Sequence, residues 1–438
     1  MSLPSPSDID TVAVAVPDGV GRLIGKRVPL ERYADVMRDG LPMPDFHLVT
    51  GLDNIPYDDL EITGPHTGFN NGLLRPDPTA LRTLPWLDRT ALAICDAYGQ
   101  DNALVEVAPR AILRRQVARL ADIGMTARTA LELEFYLFRG TFERALKSDY
   151  RDLQPSYHLS GDNDLLVSGY DEDLIGEIRR SMPLAGVPIE LSQGEGGPGQ
   201  HEICLAHAEP VEAADRHAVY KHGVKEMATR RGMAPTFMAK VDEKLPGSSC
   251  HIHLSIAEDE GNALGEPGSL SRFGSAFLAG VLRFTAELMP LHAPYANSYR
   301  RLVDGSWAPS NLTWGYDNRT VAVRLVGTGP DFRLEFRVPG ADTNAYLSSS
   351  ALIAAGLAGV ERELAPPPPV AGDGYGTQAP VLPQDLGEAL QLFGGGDVGA
   401  EALGSKVHRH LLGLARHEFE VSRRAVTDWD RRRGFERA

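Results

Sequence analysis

The chain has 438 residues, of which 42% are hydrophobic and 24% are charged, and it carries a formal net charge of −15 at pH 7. This length allows two domains with a large core, and the composition is ordinary for a globular protein. The acidic balance argues against a general nucleic-acid binder and against a membrane-surface binder.

The cysteines and the first residues indicate in which cellular compartment the protein is expected. Three cysteines, Cys95, Cys204 and Cys250, lie far apart and form no CxxC pair, which predicts a reducing compartment without a disulfide framework. The opening MSLPSPSDID lacks the basic and apolar segments of a signal peptide, and no apolar run has membrane-spanning length. We therefore expect a cytoplasmic protein, in which the Asn-x-Thr matches at Asn311 and Asn318 are chance matches.

The first part of the chain, up to about residue 105, mixes short β-like runs such as TVAVAV and ALAICDAY with turns rich in Gly, Pro and Asp. A helix is predicted over 30–37, and no other long amphipathic helix is expected in this part. The stretch RPDPTALRTLPW is predicted to be a turn that leads into a strand.

The rest of the chain alternates helical and strand-like patterns. Helices are predicted over 109–123, 173–182, 211–231, 271–286 and 345–363. Strands are predicted over 130–138, 187–192, 202–205, 236–240, 250–256, 322–325 and 333–337. These elements favour an α+β domain built largely on antiparallel strands.

Two segments near the end differ in character. Residues 365–380 form a Pro- and Gly-rich stretch that is typical of a surface excursion. From about residue 400 the chain is predicted to be helical, and its many Arg and His side chains indicate a face toward solvent or toward another subunit.

The strand candidate ALELEFYLF carries two glutamates in an apolar run. Because side chains alternate along a strand, Glu132 and Glu134 are expected on one face and Leu131, Leu133 and Phe135 on the other. Two partly desolvated like charges repel each other. Either this is an edge strand with one wet face, or a metal ion offsets the repulsion.

Four further segments carry polar side chains in similar patterns. Taken alone, each pattern is typical of a polar face or a salt-bridged strand, and the Gly-rich loop lacks the GK[ST] of a Walker motif. The segments are QGEGGPGQHE with Glu195 and Glu202, CHIHLS with His251, His253 and Ser255, RLEFR with Arg333, Glu335 and Arg337, and NRTVAVR with Arg319 and Arg324.

Together these residue types form a chemical inventory. Glutamates with one or two histidines can make two oxygen-rich sites for Mg²⁺ or Mn²⁺. The four arginines of these segments, together with Arg301, can neutralise phosphates or a carboxylate. Two metal ions with an arginine clamp are what phosphoryl transfer from a nucleotide requires.

The order and spacing of these motifs resemble the type I branch of the glutamine synthetase family, from about Val12 to the C-terminal TDWDRRR. The resemblance implies an N-terminal β-grasp domain over 1–106 and a catalytic domain with a curved antiparallel sheet over 107–438. It also implies a homo-oligomer, expected to be a dodecamer of two hexameric rings with active sites between subunits. The implied reaction activates the γ-carboxylate of L-glutamate with ATP, after which an amine attacks the γ-glutamyl phosphate.

The resemblance also implies roles for individual residues, with two Mg²⁺ or Mn²⁺ ions in each active site. One metal is expected at Glu134, Glu195 and Glu202, and the other at Glu132, His251 and Glu335. The nucleotide is expected at Glu190, His253, Ser255 and Arg324, with Arg319 and Arg333 at the transferring phosphoryl group, and glutamate at Gly247, Arg301 and Arg337.

Three departures concern the amine and glutamate ends of the site. Ammonia-using members carry RLVPGYE, whose glutamate takes a proton from ammonium, whereas this chain reads RLVDGSW, with Trp307 at that place. They also carry an Asp-Gly-Ser-Ser segment that has no match here. The Asn-Gly of their glutamate site reads Pro246-Gly247.

These departures resemble the γ-glutamyl–amine ligases of the family, which use polyamines, ethanolamine or alkylamines. Trp307 is either a flat wall for an alkyl chain or a packing residue at a loop root. Asp304 on the same loop is the candidate base for the amine, and Asp58, Asp59 and Glu61 form either a distal ammonium site or a solvated turn.

The sequence therefore predicts an ATP-dependent ligase that joins glutamate to a primary amine. One alternative is a true glutamine synthetase with rearranged ammonium contacts. An alternative of another class is a ring-forming homologue without catalysis, which the intact metal and phosphate positions disfavour.

Overall fold

A computed structural model describes residues 9–258 and 261–437. It has the predicted α+β architecture, with a five-stranded sheet in the N-terminal part and a ten-stranded sheet in the rest. The buried apolar side chains form a continuous core that includes residues from both parts. None of the described helices combines the length and apolar character needed to cross a membrane.

The N-terminal sheet has the order β2-β1-β5-β4-β3, with β1 and β5 parallel and the other pairs antiparallel. Its elements are β1 (Thr11–Pro17), β2 (Leu23–Pro29), α1 (Leu30–Asp39), β3 (Leu41–Pro44), a 3₁₀ turn (Asp45–Val49), β4 (Asn71–Thr83) and β5 (Thr90–Tyr98). A mixed sheet with one crossing helix fits the β-grasp arrangement that was predicted. The boundary at residue 106 stays a prediction.

Strand β4 corrects one expectation. The stretch from Arg75 to Trp86 was predicted to be a turn followed by a strand, but β4 already begins at Asn71 and continues through both prolines. Its pairing with β5 shifts register between Pro76 and Leu81. Proline cannot donate a ladder hydrogen bond, so the irregularity falls where the prolines are, and the strand bends without ending.

The second sheet is curved and has the order β15-β16-β17-β11-β6-β9-β8, with β7 and β10 pairing with β6 and β12 pairing with β11. Its strands are β6 (Thr126–Arg139), β7 (Gln154–Pro155), β8 (Ile189–Gly194), β9 (Gln200–Ala208), β10 (Met233–Thr236), β11 (Cys250–Glu258), β12 (Gly261–Asn262), β15 (Trp314–Tyr316), β16 (Val323–Val326) and β17 (Arg333–Phe336). A separate two-stranded ribbon consists of β13 (Gly265–Glu266) and β14 (Ser269–Leu270).

Apart from the parallel pair β15-β16, the ladders of this sheet are antiparallel. The strand predicted over 236–240 is misplaced, since β10 ends at Thr236. Beyond that point the backbone of Lys240 exchanges two hydrogen bonds with the side chain of Asn297, at 3.0 and 2.8 Å, in place of a strand partner.

The described helices include all five that were predicted, with ends that differ by a few residues. They are α2 (Pro109–Asp122), α3 (Phe142–Lys147), α4 (Leu165–Ser168), α5 (Glu172–Leu184), α6 (Pro210–Arg230), α7 (Arg272–Phe284), α8 (Ala345–Glu361), α9 (Leu386–Gly395), α10 (Val398–Leu403), α11 (Ser405–Arg424) and α12 (Asp428–Gly434). Short 3₁₀ turns lie at Gly169–Asp171, Met289–Leu291, Ser298–Arg301 and Gly329–Asp331.

Helices α7 and α8 pack with their backbones unusually close. A Cβ added at Gly280 would lie 2.2 Å from the carbonyl oxygen of Ala355, and one added at Gly359 would lie 2.2 Å from that of Ala276. Only glycine fits at these two positions without separating the helices. Helix α8 is buried along almost its whole length, in keeping with a sequence that has no charged residue before Glu361.

The C-terminal region is helical, as predicted, and α11 holds the loop that follows the 3₁₀ turn of the N-terminal part. The ring of His417 stacks on Tyr57 at 4.1 Å between centroids, and its Nε2 lies 2.5 Å from a carboxylate oxygen of Asp59. Arg409 pairs with Glu61 at 3.0 Å. Of the three acidic residues proposed for a distal ammonium, two are thus paired within the chain.

Candidate active site

Strand register places the predicted polar side chains on one face of the second sheet. On β6, Glu132 lies opposite His251 of β11, and Glu134 lies opposite Glu202 of β9. On the other side of β11, His253 lies opposite Glu335 of β17. The period of two along each strand therefore gathers residues that are far apart in the chain.

The first cluster consists of Glu134, Glu195 and Glu202, whose carboxylate oxygens lie within 4.8 Å of one another. Glu195 stands in the Gly-rich loop between β8 and β9, where its backbone N–H donates to the carbonyl of Gln200 at 2.9 Å. These are the three residues that the sequence predicts for one metal.

No described Arg, Lys or His side chain forms a salt bridge with these three carboxylates, and the charge of the buried Arg301 acts on Glu134 only from farther away. Burial, and after it the neighbouring Glu134, raises the pKa of Glu195 to about 7. Burial and the same neighbour raise the pKa of Glu202 to about 9. Three carboxylates so close together are a suitable donor set for Mg²⁺ or Mn²⁺, because a divalent charge removes their repulsion.

The second cluster joins Glu132, His253 and Glu335, whose ligand atoms also lie within 4.8 Å of one another. The sequence predicts His251 in this set, and its Nδ1 lies 3.3 Å from Glu132 and 3.5 Å from Glu335. Both histidines thus adjoin the two carboxylates. His253 is already engaged, since its Nε2 lies 2.7 Å from Glu132 and its Nδ1 lies 3.1 Å from Arg333.

The carboxylates of the second cluster differ electrostatically from those of the first. Burial opposes their ionisation, but the hydrogen bonds of His251 and His253 outweigh it and hold the pKa of Glu132 well below its usual value. Glu335 pairs with Arg324 at 2.8 Å and Arg337 at 2.5 Å. Although burial raises the pKa of Glu335, the facing His251 and Arg337 lower it overall.

A cavity of about 440 Å³ adjoins the second cluster. It is lined by three of the four residues predicted for the nucleotide, Glu190, His253 and Ser255, and by Arg333. The fourth, Arg324, instead reaches from Glu335 to Asp317, 3.1 Å from its Nε. Arg319 is exposed beside Asp317.

Two residues of this cavity were missed in the sequence. Arg128 lies on β6 two and four positions before Ala130 and Glu132, so the period of two could have identified it. His207 lies within a register shift between β6 and β9, where the pairing passes from Leu131 with Leu205 to Thr129 with Ala208. No sequence signal marks that shift.

Of the residues predicted for glutamate, Gly247 and Arg301 lie near the first cluster, whereas Arg337 pairs with Glu335 of the second. Arg301 is buried and donates to the carbonyls of Val338 and Arg337 at 2.9 and 3.1 Å. A Cβ on Gly247 would lie 2.6 Å from the Arg301 side chain, so this glycine permits the close approach. Arg337 also donates to the carbonyl of Trp307 at 3.3 Å.

The loop after Arg301 presents the predicted amine-side residues. Trp307 is 68% exposed, and its φ of 64° is in the left-handed region that large side chains rarely adopt. Asp304 is exposed on the same loop. A tryptophan held exposed in a strained conformation next to buried arginines is a candidate contact for a ligand.

Comparison with known proteins assigns the fold and site to a class. Residues 106–434 match the family model described as glutamine synthetase, catalytic domain. The chain belongs to the glutamine synthetase family and is a ligase of that family, which entails the use of ATP and a divalent metal. The resemblance stated from the motifs is thereby confirmed.

The chain is similar in sequence to several enzymes of this family over nearly its full length. The chain is 43% identical, over 100% of its length and 95% of the relative, to the γ-glutamylethanolamide synthetase GlnA4 of Streptomyces coelicolor. It is 32% identical to a glutamate–isopropylamine ligase of a Pseudomonas species, with 97% and 94% covered. It is also 32% identical to the glutamine synthetase of Thermus thermophilus, with 97% and 95% covered.

Solved structures give the same picture. A structure described as a GmaS/ADP complex superposes with a TM-score of 0.85 at 30% identity, covering 98% of this chain and 97% of that one. The corresponding GmaS structure without ligand has a TM-score of 0.84, also at 30% identity and with the same coverage.

Proposed function

We propose that the protein joins the γ-carboxylate of L-glutamate to a primary amine with ATP, through γ-glutamyl phosphate. The amine is a polyamine, ethanolamine or an alkylamine. The observation that carries the proposal is the combination of an intact set of acidic and basic side chains with Trp307 at the amine end. The relatives named for ethanolamide and isopropylamine products support the same reading.

Two divalent ions are assigned to the two clusters. Glu134, Glu195 and Glu202 would hold one ion, and Glu132, His251 and Glu335 would hold the other, with His253 adjacent. When bound, such ions neutralise phosphate charge and orient the phosphoryl group. Different residues of the chain would then bind the nucleotide and glutamate.

The nucleotide is assigned to the cavity of Glu190, His253 and Ser255, with Arg324 beside it. Arg333 lines the same cavity and is assigned, with Arg319, to the transferring phosphoryl group. The planar fork of an arginine matches two phosphate oxygens and stabilises charge that develops during transfer. Glutamate is assigned to Gly247 and Arg301, near the first cluster, and to Arg337, which pairs with Glu335 of the second cluster.

The amine must lose a proton before it attacks. An alkylammonium with a pKa near that of lysine, about 10.4, is only ~0.04% free base at pH 7. Asp304 is our candidate base, and the indole of Trp307 would exclude water and cover the alkyl chain. The expected assembly is a dodecamer of two hexameric rings, without a nucleic-acid or membrane partner.

A glutamine synthetase is the second candidate, because one of that name is 32% identical over 97% of the chain. The test is kcat/KM for ammonium, ethanolamine, a polyamine and isopropylamine, with glutamate and ATP saturating and products identified by mass. A buried methylene contributes about 0.8 kcal/mol, so we expect short alkylamines to exceed ammonium by about 10- to 100-fold. Ammonium as the best substrate would instead establish a glutamine synthetase.

Variants in the same assay test individual assignments. Arg333→Lys keeps the charge but loses the planar fork, and we expect turnover to fall by about 10²–10⁴-fold. Arg151→Lys is the matched control. Arg151 is an exposed arginine that pairs with Asp428 and is not among the residues assigned to the site, so its replacement should leave turnover unchanged. Trp307→Ala should change selection among amines more than it changes ATP binding. No ATP turnover with any amine would favour the homologue without catalysis.

A further inference from the structure

Glu134 has more hydrogen-bond donors around it than the other two carboxylates of the first cluster. Ser249 donates twice, with its hydroxyl to Oε1 and with its backbone N–H to Oε2 at 3.0 Å. The amide of Gln200 donates to Oε2 at 3.2 Å. By contrast, among the described residues Glu195 accepts from the Gln193 side chain at 2.9 Å and from the backbone N–H of Gly196, and Glu202 accepts from the weak donor Cys204.

Both donors are themselves fixed. Gln200 is buried, its amide oxygen accepts from the N–H of Gly197 at 2.9 Å, and its amide nitrogen also donates to the carbonyl of Gly247 at 2.9 Å. The carbonyl of Ser249 accepts from the backbone N–H of Glu134 at 3.0 Å. Serine and glutamate are therefore joined through both backbone and side chain.

The count of lone pairs gives a specific consequence. Each carboxylate oxygen offers two acceptor positions. Oε2 of Glu134 already accepts from two donors, whereas Oε1 accepts from one. One acceptor position, on Oε1, is therefore left for a ligand of the cluster that Glu134 forms with Glu195 and Glu202.

We propose that Ser249 and Gln200 are positioning residues that hold Glu134 so that it binds a divalent cation through Oε1 alone. This inference rests on the proposed function, because it takes Glu134 as a metal ligand. Groups that orient a ligand in this way typically change metal affinity by about 10- to 100-fold when they are removed. Neither residue needs to touch the substrate.

The experiment measures Mn²⁺ binding by calorimetry and electron paramagnetic resonance on the full chain without nucleotide. We expect Ser249→Ala to weaken one class of Mn²⁺ site by about 10- to 100-fold and to leave the other class unchanged. Ser249→Thr keeps the hydroxyl and should restore the affinity. Ser192→Ala is the matched control, because it removes a half-buried hydroxyl on β8 that binds Arg179 instead.

Gln200→Met keeps the approximate shape without the donor, and serves if Ser249→Ala fails to fold. We expect it to weaken the same class of site. Affinities within twofold of the parent for Ser249→Ala, or for Gln200→Met in its place, would overturn the positioning role. So would a Mn²⁺-bound structure in which Glu134 binds through both oxygens. A parent protein that binds no Mn²⁺ would instead refute the metal sites of the proposed function.

Discussion

The chain buries two groups of charged side chains, and they differ in whether opposite charges within the group compensate for the loss of solvent. One is centred on Arg110, which is only 3% exposed and pairs with Asp77, Asp96 and Asp215 at 2.8, 2.7 and 2.9 Å. Arg114 adds a second guanidinium, 2.7 Å from Asp77. This group joins the N-terminal sheet to helices α2 and α6.

The other group is the cluster of Glu134, Glu195 and Glu202, which forms no salt bridge with an arginine or lysine in the described part of the chain, although the charge of Arg301 acts on Glu134. Around Arg110, burial works against charge, but hydrogen bonds from Thr79 and Arg110 keep the pKa of Asp77 well below normal. In the carboxylate cluster, burial and mutual repulsion raise pKa values.

The difference between the two groups indicates that the Arg110 group stabilises the fold and that the carboxylate cluster serves ligand binding. A buried group that contains its own counter-charges contributes to holding elements together, and breaking it leaves an uncompensated charge. A buried group of one sign lowers the stability of the free protein and gains from a ligand of the opposite sign. The predictions below test whether the two groups behave in these two ways.

The largest effect is expected from Arg110→Met. It leaves three carboxylates buried without their main partner, and we expect the free energy of unfolding to fall by about 3–5 kcal/mol. Urea denaturation followed by circular dichroism measures it. Arg38→Met, which removes an exposed arginine paired with Asp35 and Asp39, is the control and should change stability little. An equal loss of unfolding free energy in both variants would show that the Arg110 group contributes no more to stability than a surface ion pair.

The next effect concerns pH in the absence of metal. The folded pKa of Glu195, about 7, and that of Glu202, about 9, lie above the unfolded value near 4.5. Their contribution to stability is therefore complete below about pH 4.5 and is lost as the pH rises through 7 and 9. We expect a loss of about 3 kcal/mol between pH 6 and 7.5 in chelator-treated protein, measured by urea titration.

Added Mn²⁺ should reverse this loss, because metal binding replaces the protons. Its stabilising effect is therefore expected to be larger at pH 8.5 than at pH 6. A metal effect that is independent of pH, or a metal-free protein that becomes more stable at high pH, would contradict the assignment of the cluster.

The smallest effect compares two isosteric substitutions. Glu195→Gln removes a charge that repels its neighbours, so the metal-free protein should gain stability at both pH values, by about 1 kcal/mol more at pH 8 than at pH 6. Asp215→Asn removes a charge that pairs with Arg110 and accepts from Tyr346, so it should lose about 1–3 kcal/mol at both pH values. The same sign of change in both variants would show that the two groups do not differ.

The sequence predicts the catalytic sheet well where alternation is strict. On β6 and β11, a period of two places Glu132, Glu134, His251 and His253 on one face, because successive side chains of a strand point to opposite faces of the sheet. The family resemblance then supplied the partners from other strands. The predicted roles of these residues stay predictions.

What could not be predicted depends on contacts between distant segments. The Arg110 group joins residues 77, 96, 110 and 215, and no local pattern marks any of them as a partner of the others. The same holds for the ends of β4 and β10, which are decided by pairing and by the side chain of Asn297 rather than by strand propensity. The donors around Glu134 are ordinary Ser and Gln residues in the sequence.

The conformation of Trp307 has a consequence for protein engineering. A tryptophan at a φ of 64° costs about 1–2 kcal/mol relative to glycine, and its exposed ring recovers little of this by packing. A thermostability screen would therefore favour Trp307→Gly. Such a screen, run without the amine, would select against the side chain to which we assign acceptor choice, and its most stable clones would be the least discriminating ligases.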